Sequence, residues 1–338
     1  YHLSSGERRK NINQMESKIK VGIVGAAGYT GGELIRLLLN HPKTEITFAL
    51  SRSQNGKEIS SIHTDLIGET DLIFTNEYFN TITILFLCLP HKESKIWLQN
   101  NDVNETIKII DLGNDFRING AFEKGNFVYG LPEINNEKIE QTNYVTNPGC
   151  FATAIQLALL PLAKAKILKT VYTTGITGST GAGQQLQDTT HFSWRVNNIS
   201  AYKTLQHQHV AEICKTINSL NEEKVNLEFV PWRGDFTRGI FTSSTIETKM
   251  SLEEIQTLYE DFYRNNPFVF LSKTNIDLKQ VVNTNKCLLF IEKDENHVVI
   301  HSVIDNLIKG ASGQAVQNMN LMLGWEATLG LKLKASAF

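Results

Sequence analysis

One of the four cysteines stands where a thiol could act as a nucleophile. Cys150 follows the tripeptide Asn-Pro-Gly and opens a largely apolar stretch, residues 151–157, whose spacing predicts a helix. At the N-terminus of a helix a thiol faces unpaired N–H groups and the positive end of the dipole, so we expect a lowered pKa for Cys150. The same N–H groups could stabilise an oxyanion on an attacked carbonyl group. A small buried residue at a helix cap is the alternative interpretation.

A nucleophilic thiol needs a base or a charged partner, and His207 and His209 are the best candidates. Side chains two residues apart point in different directions on a helix or a strand, so we expect only one of them to reach the thiol. Glu212 follows His209 by three residues and could orient either histidine if a helix begins here. Each histidine could instead be a surface residue or the first residue of a helix.

A glycine-rich segment separates a β-branched run at residues 19–24 from an amphipathic stretch at residues 33–39. Glycine allows a close backbone approach, and the first turn of the following helix presents free N–H groups to a phosphate. The order strand, glycine turn, helix, strand is the context in which such a segment binds a dinucleotide, although a tight turn without a ligand is also possible. The residues that we expect to contact the nucleotide are Gly25, Ala27, Gly28, Tyr29, Thr30 and Gly31.

The second predicted strand, residues 45–50, ends without the carboxylate that would accept a hydrogen bond from the 2′-hydroxyl group of NAD. Ser51, Arg52 and Ser53 stand there instead and offer hydroxyl donors and a positive charge, which suit a 2′-phosphate. The sequence therefore predicts NADP(H) as the cofactor, unless Arg52 is only a solvated surface charge.

The surrounding elements predict the scaffold that positions these residues. Runs at residues 83–89, 107–112 and 143–146 are nearly continuous in apolar side chains, as is typical of parallel strands buried on both faces. Leu89 and Pro90 end one of these strands, at the edge where such sheets bind ligands, and we expect them to contact the cofactor. After about residue 165, β-rich segments with polar alternation indicate an antiparallel sheet. The predicted fold class is α/β: a Rossmann-type doubly wound parallel sheet plus a second α+β domain with a largely antiparallel sheet.

These patterns also suggest domain boundaries. Residues 1–14 are polar, precede Met15 and are expected to be a leader outside the fold. We expect an NADP-binding domain over residues 15–149, a second, catalytic domain over residues 150–309, and a final segment, residues 310–338, that is helical in pattern.

Composition limits the class of protein. Of 338 residues, 41% are hydrophobic and 20% are charged, which is typical of a globular protein. The net charge of -2 leaves no basic excess for nucleic-acid binding. No apolar run is long enough to span a membrane, and the cysteines and histidines lack metal-binding spacing. We therefore expect a cytoplasmic protein with a small-molecule partner, without metal, nucleic-acid or membrane partners.

Nine stretches together resemble the N-acetyl-γ-glutamyl-phosphate reductase family, a branch of the semialdehyde dehydrogenases. They extend from about residue 19 to residue 330, nearly the whole chain. Three departures from the commonest pattern lie near the expected site, at residues 151–152, 208 and 231–235. The matching stretches are GAAGYTGGEL (25–34), LCLPHKES (87–94), DLGNDFR (111–117), YGLPE (129–133), NPGC (147–150), TGSTGAG (177–183), HQHVAEI (207–213), TRGI (237–240) and GASGQAVQNMNLMLG (310–324).

The resemblance implies an NADPH-dependent reductive dephosphorylation, the third step of arginine biosynthesis. An N-acylglutamyl γ-phosphate would become the N-acylglutamate semialdehyde and inorganic phosphate. Cys150 would expel phosphate and hold the acyl group as a thioester for reduction. His207 would transfer the proton, with His209 as the second choice. Acetyl is the default acyl group, and the departures leave succinyl open.

Further ligand contacts follow from the resemblance. A substrate with a phosphate and a carboxylate should face arginines, so Arg117 and Arg238 are expected ligands, although each could instead form a structural ion pair. The glycine-rich loop at residues 178–183 approaches both substrate and nicotinamide in the family, and Asn318 resembles an asparagine near the nicotinamide. The expected substrate contacts are Arg117, Asn147, Ser179, His209 and Arg238, and the further cofactor contacts are Ser179, Gly181 and Asn318.

Two other functions remain open at this point. An enzyme like aspartate-semialdehyde dehydrogenase would share the chemistry, although GYTGGEL and HQHVAEI argue against it. A catalytically inactive NADP-binding sensor would bind the cofactor without turnover, although Cys150 and its candidate partners argue against it. Analogy with the family implies a homodimer or a homotetramer, with residues 150–309 also serving as the dimerisation domain. The same resemblance implies that the C-terminal helix, residues 310–338, returns to the NADP-binding domain.

Overall fold

The structure of the chain is a computed structural model that describes residues 17–337, so the expected leader and Met15 lie outside the described residues. In this range the strands are β1 (Ile19–Val24), β2 (Thr44–Leu50), β3 (Phe74–Thr75), β4 (Ile84–Leu87), β5 (Lys108–Asp111), β6 (Ala121–Phe122), β7 (Gly125–Asn126), β8 (Val128–Tyr129), β9 (Tyr144–Thr146), β10 (Thr170–Thr177), β11 (Ser200–Ala201), β12 (Asn226–Arg233), β13 (Ile240–Glu247), β14 (Val269–Leu271), β15 (Cys287–Asp294) and β16 (His297–Ile304).

The helices separate and cover these strands. They are α1 (Tyr29–Leu39), α2 (Ser94–Asn100), α3 (Pro132–Glu140), α4 (Cys150–Lys164), α5 (Phe192–Arg195), α6 (His209–Leu220), α7 (Leu252–Tyr263) and α8 (Gly313–Met322). Short 3₁₀ turns lie between several elements, and a π-helical turn, Ile308–Ser312, leads into α8.

The first sheet is parallel in all its described pairs and has the order β3-β2-β1-β4-β5-β9-β8. Every residue of β4 is buried, because helices and connecting segments cover both faces, as the apolar run at residues 83–89 predicts. Chain order reverses between β1 and β4, and the crevice at their carboxyl ends is where such sheets bind ligands. The predicted Rossmann-type sheet is confirmed.

The second sheet has the order β11-β12-β10-β13-β16-β15-β14. Its described neighbours are antiparallel except for the pairs β10 with β12 and β14 with β15. Buried and more exposed residues alternate along β10, β12 and β13, because helices cover one face of the sheet. The predicted second domain with a largely antiparallel sheet is confirmed.

Two buried segments join the sheets. Helix α4 is buried from Phe151 to Ala163 and contacts α6, β13 and β16. Helix α8 is buried along its whole length, and its residues Ala315, Val316 and Met319 share a core with the parallel sheet and α1. The end of the chain therefore closes over the first sheet. Among the described residues, none of the helices is both long and apolar enough to cross a membrane.

Candidate active site

Cys150 is the first residue of α4 and directly follows the N-cap residue Gly149. Gly310 closes one side of it, because a Cβ added to Gly310 would lie 2.8 Å from the Cβ of Cys150. Behind Gly149 lies His209, whose Nε2 would be 2.3 Å from an added Cβ. Both glycines are therefore needed for other groups to approach the nucleophile loop closely.

The thiol of Cys150 is not acidic in this environment. Burial raises its pKa, whereas the N–H of Phe151 and the charge of Arg117 lower it and the charge of Glu212 raises it. The expectation of a lowered pKa is wrong here, because desolvation outweighs the helix N-terminus. A thiol with a raised pKa is protonated at neutral pH, so its ionisation needs a base.

Glu212 holds the turn that precedes Cys150. Its Oε1 accepts hydrogen bonds from the Tyr129 hydroxyl group at 2.7 Å and from the N–H of Gly149 at 2.9 Å. Its Oε2 lies 3.4 Å from Nη1 of Arg117. Since its described hydrogen bonds include neither histidine, Glu212 positions the nucleophile loop and does not orient an imidazole ring.

His207 and His209 lie together beside the start of α4. Their ring centroids are 4.7 Å apart, and the ring of His207 lies 5.6 Å from that of Phe151. The N–H of His209 donates to Nδ1 of His207 at 3.2 Å, which fixes the orientation of that ring. The structure therefore brings both predicted histidines to the nucleophile helix.

Both imidazole rings are neutral at pH 7. Burial lowers the pKa of His207 to about 4, and the charge of Lys203 acts in the same direction. Burial also lowers the pKa of His209 far below its usual value, with the charge of Arg117 as the next cause. Nδ1 of His209 is buried without a hydrogen-bond partner in the described chain. A neutral ring accepts a proton only at its unprotonated nitrogen, and in His207 this is Nδ1, which now accepts the hydrogen bond from the N–H of His209.

The side chain of Arg117 donates hydrogen bonds to the backbone of the loops around the site. Its Nε donates to the carbonyl oxygen of Asn147 at 2.9 Å, and its Nη2 donates to that of Leu112 at 3.0 Å. Its Nη1 borders Gly149, at 2.7 Å from the position of an added Cβ. The guanidinium group thus places positive charge beside the nucleophile while its hydrogen bonds hold the backbone.

Asn147 and Asn318 connect the nucleophile loop to the end of the chain. Nδ2 of Asn147 donates to the carbonyl oxygen of Ala311 at 2.9 Å. Nδ2 of Asn318 donates to Oδ1 of Asn147 at 3.1 Å and to the carbonyl oxygen of Gly130 at 3.0 Å. Oδ1 of Asn318 is buried without a partner in the described chain. Both amides are thus structural links, and one acceptor on Asn318 remains for a ligand donor.

Arg238 does not have the environment of a substrate ligand. Its Nη1 lies 2.8 Å from Oε1 of Glu33, and its Nε lies 3.1 Å from Oδ2 of Asp305. Two carboxylates leave the guanidinium group no net charge for an anionic substrate. The structural ion pair is therefore the better interpretation: Arg238 links α1 to the segment that follows β16.

The glycine turn fits a pyrophosphate. Gly25 has a φ of +80°, and a Cβ there would lie 2.2 Å from the carbonyl oxygen of Cys88. An added Cβ on Gly31 would lie 2.6 Å from the carbonyl oxygen of Gly25, whereas one on Gly28 meets nothing closer than 3.7 Å. Helix α1 has no side-chain cap, so its first N–H groups remain available to a phosphate. Ala27, Tyr29 and Thr30 lie in the same turn and are partly or largely exposed.

The other predicted cofactor residues border the same crevice. Ser51 directly follows β2 and lies near Ser53, with 3.5 Å between their hydroxyl oxygens, and Arg52 and Ser53 are exposed. Leu89 and Pro90 follow β4, next to β1, and are half-buried and exposed, respectively. An exposed cation and two hydroxyl groups at the end of β2 fit a phosphorylated ribose.

The loop after β10 is a short 3₁₀ turn, Ser179–Ala182. The N–H of Ser179 donates to the carbonyl oxygen of Phe236 at 2.8 Å, and Gly181 is exposed. Asn306 donates to the hydroxyl group of Thr180 at 3.0 Å, which ties the turn to the segment that follows β16. The backbone of this loop is therefore anchored while its tip stays accessible.

Sequence reasoning missed four polar side chains near the nucleophile. Nε2 of Gln156 donates to the Tyr129 hydroxyl group at 2.7 Å and so supports the partner of Glu212. The ring of Tyr202 lies 5.8 Å from that of His207, and Cζ of Arg233 lies 4.6 Å from the Tyr202 ring centroid. The alternation of β12 could have indicated Arg233, which falls on the buried face of that strand.

Comparison with known proteins identifies the family. One family profile, described as semialdehyde dehydrogenase, NAD binding domain, matches residues 20–142, and a second, described as semialdehyde dehydrogenase, dimerisation domain, matches residues 150–306. The chain belongs to the semialdehyde dehydrogenase family. As a member of this family it is an oxidoreductase with a nicotinamide-dinucleotide domain, and its second domain is of the dimerisation type.

Within this family, curated relatives share about half of their residues with the chain. Proteins named N-acetyl-gamma-glutamyl-phosphate reductase from Flavobacterium johnsoniae and Bacteroides fragilis are each 53% identical, over 95% of this chain and 100% of their own length. The relative of the same name from Parabacteroides distasonis is 52% identical with the same coverage.

Solved structures share the fold. The aspartate semialdehyde dehydrogenase II of Vibrio cholerae, complexed with ASA, has a TM-score of 0.70 at 17% identity, over 91% of this chain and 99% of that chain. The aspartate semialdehyde dehydrogenase of Candida albicans, solved with NADP, has a TM-score of 0.66 at 14% identity and the same coverage. At these identities the likeness concerns the semialdehyde dehydrogenase fold alone.

Proposed function

We propose that the protein reduces N-acetyl-γ-glutamyl phosphate to N-acetylglutamate 5-semialdehyde and inorganic phosphate with NADPH, the third step of arginine biosynthesis. The relatives that carry this name match the chain over its domains at about half identity. The observation that supports the chemistry is Cys150 at the start of a buried helix, between two neutral histidines and a segment that reaches back to the glycine turn.

Cys150 acts as the nucleophile in this proposal. Its sulfur forms a bond to the γ-carbonyl carbon, the bond from that carbon to the phosphate oxygen breaks, and phosphate leaves. Because the pKa of the thiol is raised, its proton must pass to a neighbouring base as the bond forms. The N–H of Phe151 and the charge of Arg117 favour negative charge at this position, so they support the thiolate during attack.

His207 is the proposed proton-transfer group, with His209 as its support. The ring of His207 lies next to Phe151 and Tyr202, and negative charge on Cys150 would raise the pKa of the Tyr202 hydroxyl, so these groups share one pocket. The neutral ring would accept the thiol proton at Nδ1 and could return it to the sulfur when the carbon–sulfur bond breaks and the aldehyde forms. His209 holds Nδ1 of His207 through its N–H.

NADP(H) is the proposed form of the cofactor, and when bound it supplies the hydride for the thioester carbon. The uncapped N-terminus of α1 and the open side of Gly28 would hold its pyrophosphate. Arg52 and Ser53 would bind the 2′-phosphate, since the end of β2 carries no carboxylate. The unpartnered Oδ1 of Asn318 is a candidate acceptor for an amide donor of the ligand.

We also propose that the second domain forms a homodimer and that the protein is located in the cytoplasm. The face of the second sheet that α4, α6 and α7 leave uncovered carries half-buried and exposed side chains, including Tyr172, Phe241 and Phe290. A profile of the dimerisation type covers this domain. The four cysteines are free, which accords with a reducing compartment.

The direct test is the reverse reaction, in which the purified protein oxidises N-acetylglutamate semialdehyde with phosphate and NADP. N-succinylglutamate semialdehyde and aspartate semialdehyde serve as competing substrates. We expect the highest kcat/KM with the N-acetyl compound and NADP. A higher kcat/KM with another semialdehyde would contradict the proposed substrate, and a higher kcat/KM with NAD would contradict the proposed cofactor.

The Cys150→Ser variant tests the covalent route. It should lose turnover while its Kd for NADPH stays within about twofold, because the cofactor residues lie on other segments. Cys214→Ser, a change on the half-exposed cysteine of α6, is the matched control and should keep wild-type kcat. Retained turnover in Cys150→Ser would exclude the thioester.

A further inference from the structure

One buried arginine near the nucleophile forms no ion pair with a carboxylate of residues 17–337 and has a nitrogen without a hydrogen-bond partner there. Arg233 is the last residue of β12, and alternation along the strand puts it on the same face as Phe229 and Leu227. The ring of Phe229 lies 5.1 Å from that of Phe151 and 5.5 Å from that of His207. Arg233 therefore projects from the face of the sheet that supports the start of α4.

The guanidinium group of Arg233 is incompletely satisfied within the chain. Arg233 is 9% exposed, and its Nε is buried with no hydrogen-bond partner among the described residues. None of the ion pairs between residues 17 and 337 includes it. It stacks on the ring of Tyr202, with Cζ 4.6 Å from the ring centroid. A buried cation without an anion is costly, so its presence indicates a ligand that supplies the charge.

The neighbouring arginines are already used by the protein. Nη1 of Arg195 donates to the carbonyl oxygen of Arg233 at 2.7 Å, and its other donors bond to the carbonyl oxygens of Thr189 and Asn198 and to Ser200. Arg117 bonds to backbone carbonyl groups and Glu212, and Arg238 to two carboxylates. Arg195 also forms no ion pair among the described residues, but all its nitrogens have hydrogen-bond partners, whereas Nε of Arg233 is a buried donor with none.

The position of Tyr202 links Arg233 to the nucleophile. The centroid of the Tyr202 ring lies 4.6 Å from Cζ of Arg233 and 5.8 Å from the centroid of the His207 ring. Burial and, after it, the charge of Cys150 raise the pKa of the Tyr202 hydroxyl to about 12, and Arg233 acts in the opposite direction. Arg233 and Cys150 therefore both lie close enough to Tyr202 to affect the ionisation of its hydroxyl group.

We infer that Arg233 binds an anionic oxygen group of the acyl substrate and so determines which substrates the cysteine can attack. This inference rests on the proposed function. The substrate offers its phosphate, its α-carboxylate and, if the acyl group is dicarboxylic, a terminal carboxylate. All three match a guanidinium fork, which can donate from Nε and one Nη to two oxygens.

Reverse-direction kinetics of Arg233→Met and Arg233→Lys test the inference. Loss of a charge-assisted hydrogen bond, together with the burial of an unpaired anion, should raise the KM of the affected reactant tenfold or more in Arg233→Met. Arg233→Lys should recover part of this loss, because it restores the charge but not the fork. Arg264→Met, which removes an exposed guanidinium paired with Asp261, is the control and should keep wild-type KM values.

The reactant whose KM rises identifies the anion. A rise for phosphate alone assigns the phosphate, an equal rise for the N-acetyl and N-succinyl semialdehydes assigns the α-carboxylate, and a rise for the N-succinyl compound alone assigns an acyl carboxylate. Unchanged KM values for all three reactants, in a variant with wild-type melting temperature and an active wild type, would overturn the inference. An inactive wild type on every semialdehyde would instead refute the proposed function.

Discussion

At the scale of single residues, the nucleophile depends on its neighbours more than on its helix. Cys150 has the N-terminal position that lowers the pKa of many thiols, yet burial raises its pKa. His207 and His209 are neutral for the same reason, because desolvation disfavours their protonated forms. The thiol is therefore protonated and both imidazole rings are neutral before the reaction, so proton transfer must accompany attack on the substrate.

The pH dependence of catalysis follows from these protonation states. Because the pKa of His207 is lowered to about 4, the ring is neutral and can accept a proton at every pH above about 5. We expect kcat/KM for the semialdehyde, at saturating phosphate, to show no inflection near pH 6.5. His207→Asn should lower the rate about 100-fold and make it rise with pH, since thiolate must then form without a base.

His209→Asn provides the comparison for this prediction. It should reduce the rate less than His207→Asn does and keep the flat profile. If His209→Asn alone produces the rising profile, the two histidines exchange roles. An inflection near pH 6.5 in the wild type would contradict the neutral, buried state of both rings.

At the scale of elements, the π-helical turn Ile308–Ser312 connects the nucleophile to the cofactor site. Gly310 lies against Cys150, and the carbonyl oxygen of Ala311 accepts from Asn147. The Ser312 hydroxyl group donates to the carbonyl oxygen of Thr30, in the first turn of α1, at 2.8 Å. Three successive residues thus contact the two halves of the site, which accords with the occurrence of π-turns at functional positions.

A fully buried ion pair holds this turn. Nζ of Lys309 lies 2.8 Å from Oε1 of Glu133 in α3 and donates to Oε1 of Gln317 at 3.0 Å. Lys309→Met should destabilise the protein by about 3–5 kcal/mol, because it leaves Glu133 buried and unpaired. Thermal unfolding followed by circular dichroism measures the effect as a lower Tm.

The double variant Glu133→Leu/Lys309→Met separates the charge from the packing. It should recover most of the lost stability, since no unpaired charge remains buried. Lys166→Met, at the exposed pair with Glu222, is the control and should change stability by less than about 0.5 kcal/mol. A double variant as unstable as Lys309→Met would contradict the electrostatic explanation.

At the scale of the whole molecule, one face of the second sheet is left uncovered by the α-helices of residues 17–337. Helices α4, α6 and α7 lie on the other face. The uncovered face includes Tyr172, which is 62% exposed, and a central group of Phe241, Ser243 and His301. A cluster that includes residues 276–281 packs near one end of this face. A second copy of the chain would cover the remainder in the proposed dimer.

Ser243→Arg tests the dimer. Ser243 lies on β13, in the middle of the sheet, and its hydroxyl group is 2.8 Å from Nδ1 of His301. A guanidinium group there would face its own copy across a two-fold axis, so we expect a monomer by size-exclusion chromatography with light scattering. Thr257→Arg, on an exposed position of α7, should leave the wild-type mass unchanged. An unchanged mass for Ser243→Arg would place the interface elsewhere.

Local sequence patterns were sufficient to predict much of the fold and part of the candidate site. The apolar pattern of residues 83–89 and 107–112 indicates buried parallel strands, and the segment between residues 24 and 33 indicates a glycine turn. Both features can be predicted locally because each depends on a few consecutive residues. Cys150 at a helix start is of the same kind. These features needed no knowledge of distant contacts, and the sequence by itself determined them.

The tertiary structure alone decided what surrounds each charged group. Arg238 stands in a stretch that matches the family, yet two carboxylates from distant segments neutralise it. Arg233 lies in a stretch that departs from the family pattern, and its buried Nε has no hydrogen-bond partner among residues 17–337. Glu212 contacts a tyrosine, a backbone N–H and an arginine rather than the neighbouring histidines. Burial raises the pKa of Cys150, whereas its position at a helix start predicted a lowered pKa. Desolvation and ion pairing depend on residues far apart in the chain, so only the folded arrangement sets their sign.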